Sequence, residues 1–167
     1  DFQKTSANDL TERLYKEVRD TFSRKTETIA KQAFPVIKNV FEQRGEMFKN
    51  IVVPFTDGKR AYNVVANLEK TYRSEGEELI RAYEKSIMLA HIDDAWKEHL
   101  REMDDLKQSV QNATYEQKDP LLIYKFESFN LFKSMVDKIN KNVVSTLMKG
   151  QIPFEAPEEV KQAEEKR

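Results

Sequence analysis

One uninterrupted stretch of this chain constrains its fold more than any other feature. From Glu77 to Asn112 neither glycine nor proline occurs, so the stretch lacks the two residues that most readily end or bend a helix. Mostly apolar side chains recur in it with the spacing 4-3-4-3-4, which is typical of a helix–helix seam. A long helix packed against a partner helix is therefore predicted. The seam consists of Ile92, Trp96, His99, Met103, Leu106 and Val110.

The partner helix is predicted to follow directly. Residues 113–119 break the pattern, and Asp119-Pro120 then combines a capping carboxylate with a proline suited to the first helical turn. A helix over about 120–149 would be roughly 45 Å long, and Gly150 is expected to end it in a left-handed cap. Matching seams and a short connection predict an antiparallel αα-hairpin with helices over 77–112 and 120–149 and a tip loop at 113–119. The second seam consists of Phe129, Phe132, Val136, Ile139 and Val143.

The N-terminal region is predicted to begin with helix. Apolar side chains follow a helical period from Asn8 to about Phe48, and Ser6 or Asn8 can cap the N-terminus. Pro35 lies inside this pattern, so we expect either two helices or one bent helix.

A short β-hairpin is predicted near residues 51–65. β-Branched and aromatic residues flank Asp57-Gly58, a dipeptide that favours a type I′ turn. Pro54 places the first strand at a sheet edge. Asn67 is a plausible cap for a further helix, and the capping-box pattern of residues 74–77 can restart it. The predicted fold class is thus mainly α, with a long αα-hairpin and a small β-hairpin.

Composition excludes several classes of protein. The formal net charge is −1, from 28 Lys and Arg against 29 Asp and Glu, so no excess of basic residues points to nucleic-acid binding. Without cysteine the chain has neither disulfides nor thiolate zinc ligands, which permits a cytoplasmic location. No apolar run approaches the ~18 residues of a membrane span, and the N-terminus has neither a signal peptide nor an initiator Met. We therefore expect a soluble, excised piece of a longer protein.

The sequence contains no persuasive catalytic constellation. Phosphate-loop, dinucleotide-binding, zinc-protease and nucleophile-elbow motifs are all missing. His91 and His99 lie eight residues apart, too far to bind one ion without a second helix, so a seam or ion-pair role is favoured over a metal site. The paired acids Asp93-Asp94 and Asp104-Asp105 are interpreted as solvated or salt-bridged. No catalytic residue, metal site or cofactor is predicted for this chain.

Most of the aromatic residues discussed here lie at positions typical of packing between helices. Trp96 stands on the seam, which favours a core anchor over a ligand contact. Phe126, Phe129 and Phe132 have the spacing of packing residues. Tyr115 instead falls in the predicted tip loop. Its position alone leaves two roles open, contact with a partner or a staple that folds back onto the helix ends.

Several linked motifs between Glu84 and Pro153 resemble the C-terminal scaffold segment of the SecA family, the ATPases of bacterial preprotein export. They include DxxWKEHL at 93–100, YxQKDP at 115–120 and VSTL at 144–147. Upstream, ERLYKEVRDTFSRKTE resembles the family's helical wing more loosely, and the hairpin at Asp57-Gly58 resembles an insertion found in some relatives. The resemblance implies a wing over 1–76, a scaffold over 77–153 and a charged C-terminal linker over 154–167.

In this family the αα-hairpin is the two-helix finger, whose loop lies at the mouth of the SecYEG channel and contacts the translocating polypeptide. The resemblance therefore implies that Tyr115 contacts an unfolded preprotein, with Thr114, Glu116, Gln117 and Lys118 around it. It also implies scaffold packing by Trp96, His99, Met103, Phe129 and Phe132. Relatives often have Arg-Gly before the tyrosine and Ala after it, where this chain has Ala113-Thr114 and Glu116. A role for a basic residue before the tyrosine therefore does not carry over.

The resemblance also implies what a parent protein would contain. Its motor domains would use ATP and Mg²⁺, and it would be cytoplasmic and peripheral at the inner face of the cell membrane. Because those domains are not in this sequence, the chain by itself is expected to lack ATPase activity. The alternative is a free-standing helical protein that dimerises through its seam as a coiled coil.

Overall fold

The computed structural model describes residues 6–112 and 119–153. It confirms a mainly α fold with one two-stranded antiparallel sheet. The elements in chain order are α1 (Ala7–Arg44), β1 (Asn50–Thr56), β2 (Ala61–Asn67), α2 (Leu68–Arg73), α3 (Glu77–Asn112) and α4 (Pro120–Lys149).

The chain divides into two compact units. We call residues 1–84 with 150–167 the mixed unit, since its described part contains both helix and sheet, and residues 85–149 the two-helix unit. Helix α3 contributes to both. The domain boundaries implied by the family resemblance, after residues 76 and 153, remain predictions.

Helix α1 is continuous from Ala7 to Arg44, which excludes the first of the two alternatives at Pro35, two separate helices, and leaves the second, one bent helix. The Ser6 hydroxyl accepts a hydrogen bond from the Asp9 N–H at 3.2 Å, which makes Ser6 the N-cap. Proline inside a helix costs a backbone hydrogen bond, and Pro35 lies in the half of α1 that packs against other elements. The buried residues of α1 are Ile29, Ala30, Ala33 and Ile37.

The predicted β-hairpin is confirmed, but its turn differs from the prediction. Four residues, 57–60, connect the strands, because Thr56 pairs with Ala61. Only Gly58 has a positive φ, 84°, whereas a type I′ turn needs two such residues in a two-residue loop. The Asp57 carboxylate instead accepts hydrogen bonds from the N–H groups of Lys59 and Arg60, at 2.9 and 2.8 Å. The side chain of Asp57 therefore organises the turn.

One face of the sheet forms the core of the mixed unit. The ring of Phe55 stacks on Tyr83 of α3 with 4.3 Å between centroids, and both side chains are fully buried. Burial raises the pKa of Tyr83 to about 12. Leu68 of α2 and Leu79 of α3 are also buried completely.

The junction between α2 and α3 is a tight turn. The Asn67 side chain accepts from the Lys70 N–H at 2.9 Å, so the predicted cap of α2 is confirmed. Glu75 and Gly76 have φ angles of 51° and 99°. The Ser74 hydroxyl then accepts from the Glu78 N–H at 3.0 Å. Gly76 also lies against Ala30 of α1, where a Cβ would meet Ala30 atoms at 3.1 Å.

After α4 the chain returns to the sheet of the mixed unit. Thr56 and Gln151 exchange both backbone hydrogen bonds, at 2.8 and 2.9 Å. Gly150, which precedes Gln151, does not have the predicted left-handed conformation, because the described glycines with positive φ are Gly58 and Gly76. The backbone instead continues into the bridge with Thr56.

Candidate functional site

The two-helix unit carries the predicted site. Two contacts show that its helices are antiparallel: His91 Nε2 lies 2.8 Å from Thr146 Oγ1, and the His99 ring meets Phe132 edge-on with centroids 6.1 Å apart. Later residues of α3 thus contact earlier residues of α4. The two helices therefore run in opposite directions.

Asp119 fixes the start of the second helix. Its carboxylate accepts hydrogen bonds from the N–H groups of Leu121 and Leu122, at 2.9 and 3.4 Å. Pro120 is the first residue of α4, a position where the missing N–H costs nothing. The predicted capping by Asp119 and the placement of Pro120 are confirmed. Together they define the point where the tip segment ends.

The predicted tip residues lie outside the described residues. They are Thr114, Tyr115, Glu116, Gln117 and Lys118. The structure gives the two helix ends between which they lie, Asn112 of α3 and Pro120 of α4. The choice between a contact role and a staple role for Tyr115 stays open.

The predicted packing residues fall into two groups. His99 is 7% exposed and Met103 is half-buried, as seam positions should be. Trp96 is 47% exposed, Phe129 64% and Phe132 48%. Contrary to the expectation of a core anchor, Trp96 is therefore not buried among the described residues. Trp96 and Phe132 pack in part, against His99, and scaffold packing by Phe129 stays a prediction.

The buried residues of the two-helix unit match the predicted seams at His99, Val110 and Val143 and differ from them elsewhere. On α3 they include Ala95 instead of Trp96, and on α4 they include Met135 instead of Val136 or Phe132. At each place two apolar residues are adjacent, so the helical period fits either one. Size could not decide between them, because the small Ala95 is the buried one. The buried residues of the unit are Ile87, Ala95, His99, Val110, Met135, Val143 and Thr146.

His99 lies at the centre of an aromatic cluster. The ring of Trp96 is tilted against it with 5.7 Å between centroids, and Phe132 approaches from the other helix. The His99 Nδ1 atom is buried and has no hydrogen-bond partner among the described residues. Since Trp96 and Phe132 are about half exposed, this cluster forms part of the surface of the unit.

The charged residues of the unit form exposed pairs along α3. Lys97 bonds to Asp93, and this hydrogen bond raises the pKa of Lys97. Arg101 pairs with Glu98 at 2.9 Å. Pairs of this kind contribute little to stability. Over residues 6–112 and 119–153 no group of three or more potential metal ligands occurs.

Comparison with known proteins gives one family. The model of the SecA Wing and Scaffold domain matches residues 2–151. The chain belongs to the SecA family. A protein translocase subunit SecA of Phocaeicola vulgatus is 54% identical over 163 residues, which are 98% of this chain and 15% of the relative. The Bacteroides fragilis subunit is 52% identical over 167 residues, 100% of this chain and 15% of the relative. The subunit of Flavobacterium psychrophilum is 54% identical over 153 residues, 92% of this chain and 14% of the relative.

The chain thus spans about 15% of the length of these SecA relatives. No solved structure matches it. Among the helices of the described segments, none combines the length and the apolar character that crossing a membrane needs. The family match favours a SecA wing and scaffold segment over the alternative of a free-standing coiled-coil protein.

Proposed function

We propose that this chain is the wing and scaffold part of a SecA protein translocase, and that its two-helix unit contacts the polypeptide being transported. The observation that carries the proposal is the antiparallel pairing of α3 and α4, with the YxQKDP motif between them. The pairing turns that motif into the connection of a long hairpin. Tyr115 is then the residue that touches the client, with Thr114, Glu116, Gln117 and Lys118 beside it.

The proposed client is an unfolded preprotein at the SecYEG channel. A tyrosine offers a large amphipathic surface with few rotatable bonds, so it can hold many different sequences. The two helices form a regular scaffold of 36 and 30 residues behind it. Such a scaffold suits a part that carries motion or force between a motor and a client.

The motor itself is proposed to lie in the same polypeptide outside this sequence. It would bind ATP and Mg²⁺, and the parent would work in the cytoplasm as a peripheral protein at the inner face of the cell membrane. This chain carries no phosphate-loop motif. We therefore propose that the 167-residue chain alone does not hydrolyse ATP, which a sensitive phosphate-release assay can check.

Replacing Tyr115 in the full-length parent tests the contact role. Tyr115→Ala is expected to lower preprotein transport about tenfold or more, as the loss of one aromatic contact would, while basal ATP hydrolysis stays within about twofold. Tyr115→Phe keeps the aromatic surface and should keep most of the transport. Vesicle transport and ATPase assays on the same preparations measure both quantities.

Two controls separate this role from a structural one. Tyr15 is exposed on α1, so Tyr15→Ala matches the chemical change and should leave transport unaltered. If Tyr115 is a staple, Tyr115→Ala will instead lower the melting temperature of the 167-residue chain. Normal transport by Tyr115→Ala, or a loss of transport that follows the loss of stability, would reject the contact role.

A further inference from the structure

The segment that follows α4 is attached to the sheet by a very short contact. The Thr56 N–H of β1 donates to the Gln151 carbonyl at 2.8 Å, and the Gln151 N–H donates to the Thr56 carbonyl at 2.9 Å. This pair is an isolated bridge outside the named strands. The ladder on the other side of β1 runs the whole length of the strand, from Asn50 to Thr56. Among the described residues, the returning segment 150–153 therefore pairs with β1 at one position.

Two prolines prevent this bridge from growing along β1. In an antiparallel pair, the residues that exchange hydrogen bonds recur at every second position. The next such pair after Thr56 and Gln151 would be Pro54 and Pro153. Neither proline has an N–H. This pair can therefore form no backbone hydrogen bond at all.

The hairpin turn and the end of α4 prevent growth in the other direction. The next pair there would be Gly58 and Lys149. Gly58 belongs to the turn, and its N–H donates to the Thr56 hydroxyl at 3.1 Å. Lys149 is the last residue of α4, so its backbone is helical. Residues on both sides thus limit the bridge to two hydrogen bonds.

Side chains add little to this attachment. Gln151 and Pro153 are exposed, Ile152 is half-buried, and Gly150 is buried but has no side chain. In contrast, Phe55, the neighbour of Thr56 in β1, is fully buried and stacks on Tyr83. Local opening is easiest where few apolar atoms are buried. The bridge can therefore open while the adjacent ladder stays closed.

We propose that residues 150–153 form a releasable strap, which opens and closes while the β-hairpin stays folded. With the strap closed, the chain on both sides of the two-helix unit is held in the mixed unit, through the continuous helix α3 and through the bridge. With the strap open, the C-terminal end of α4 is released and α3 remains. In the parent protein this release occurs during transport, a role that rests on the proposed function, whereas the opening itself does not.

Hydrogen exchange on the 167-residue chain tests the opening with two neighbouring amides. The Thr56 N–H donates to the strap, whereas the N–H of Phe55 points toward Tyr62 in the ladder. We expect the Thr56 amide to exchange about a hundredfold or more faster than the Phe55 amide. Low concentrations of urea should accelerate exchange at Phe55 alone, because local opening exposes little surface. Equal rates at the two amides would show that the strap opens only when the whole unit unfolds, and would overturn the proposal.

A variant with a weakened strap tests its independence from the core. Gln151→Pro removes one of the two hydrogen bonds, so it should accelerate exchange at Thr56 and leave both the Phe55 rate and the urea midpoint of the chain nearly unchanged. Gln151→Ala keeps the backbone N–H and should match the wild type. A large fall in the urea midpoint of Gln151→Pro would instead make the bridge part of the core and contradict the proposal.

A variant with a lengthened strap tests the part of the prolines. Pro54→Val combined with Pro153→Val restores both N–H groups of the next pair, and both positions are exposed. The double variant should slow exchange at Thr56 about tenfold or more, since each new hydrogen bond opposes opening. Each single variant should have a smaller effect. Unchanged exchange in the double variant would show that the prolines do not limit the bridge, against the proposal.

The same double variant in the full-length parent tests the role in transport. If release of α4 limits transport, the double variant should lower the transport rate by up to about tenfold, in proportion to the slower opening measured by exchange. Gln151→Ala serves as the control and should leave transport unaltered. Normal transport by the double variant, despite slowed exchange, would overturn this role. Failure of the tip contact would appear in Tyr115→Ala alone and would leave the exchange results intact, so the two proposals can fail separately.

Discussion

At the scale of single residues, the buried tyrosine of the mixed unit controls how stability responds to alkali. Tyr83 stacks on Phe55, and burial raises its pKa to about 12, above the ordinary value near 10. The folded chain therefore holds this proton more tightly than the unfolded chain does. The stabilisation is complete below about pH 10 and is lost as pH rises through about 12.

We therefore expect the free energy of unfolding to fall by on the order of 1 kcal/mol between pH 9 and pH 11.5 because of Tyr83. Tyr83→Phe keeps the ring and removes the proton, so its loss over this range should be smaller by that amount. Urea unfolding followed by circular dichroism at both pH values measures the difference. Identical pH dependence in the two chains would show that Tyr83 does not titrate in this range.

At the scale of secondary-structure elements, the turn between α2 and α3 depends on one glycine. Gly76 has a φ of 99°, and a Cβ there would lie 3.1 Å from both the Cβ and the carbonyl oxygen of Ala30. Gly58 in the β-hairpin also has a positive φ, 84°, but has open space around it. Substitutions at the two glycines can therefore separate the cost of backbone strain from the cost of a steric contact.

Gly76→Ala should lower the free energy of unfolding by about 2–3 kcal/mol, since it combines an unfavourable φ with a close contact. Gly58→Ala should cost about 1 kcal/mol, from the φ alone. Chemical denaturation of the two variants beside the wild type gives the comparison. Equal losses would mean that the contact with Ala30 adds nothing.

The elements were largely predictable from the sequence because their ends carry local signals. The side chains of Asn67 and Asp119 accept hydrogen bonds from backbone N–H groups within three residues. Each cap can therefore be recognised from a short stretch of sequence. Pro35 left two alternatives open in the sequence, and the helix continues through it because packing of the surrounding helix outweighs one lost hydrogen bond. The turn at Asp57 was misread because a carboxylate, rather than two positive φ angles, fixes it.

The packing face of the two-helix unit was less predictable. A helical period specifies a stripe only to within one residue wherever two apolar residues are adjacent, as at Ala95-Trp96 and Met135-Val136. Which of the two is buried depends on the rotation of each helix against its partner. That rotation depends on contacts between residues distant in sequence, such as His91 with Thr146. The period of one helix does not encode such contacts.

At the scale of the whole molecule, the two units have different cores. Among the side chains that the structure describes, all but one of the largest fully buried ones belong to the mixed unit, and the exception is Ile87. In the two-helix unit, large side chains such as Phe126 and Phe129 are exposed instead. Few buried apolar contacts favour local opening.

Amide hydrogen exchange should therefore be uneven along the chain. We expect amides near Val64 and Leu79 to exchange about tenfold or more slowly than those near Ser128 in α4, under conditions where the fold is intact. Exchange followed by NMR or by mass spectrometry of peptides measures this ratio. Uniform protection across both units would show that the chain opens as one cooperative body.

The bridge between Thr56 and Gln151 makes the two-helix unit an insertion within the mixed unit, because the chain leaves at residue 84 and has returned by residue 150. An insertion of this kind can change length without a change in its host. Seven residues added to each helix would lengthen the hairpin by about 10 Å and keep the seam in register. Seven residues added to one helix alone would shift its seam residues relative to those of the other helix. Length variation among relatives should therefore come in paired steps.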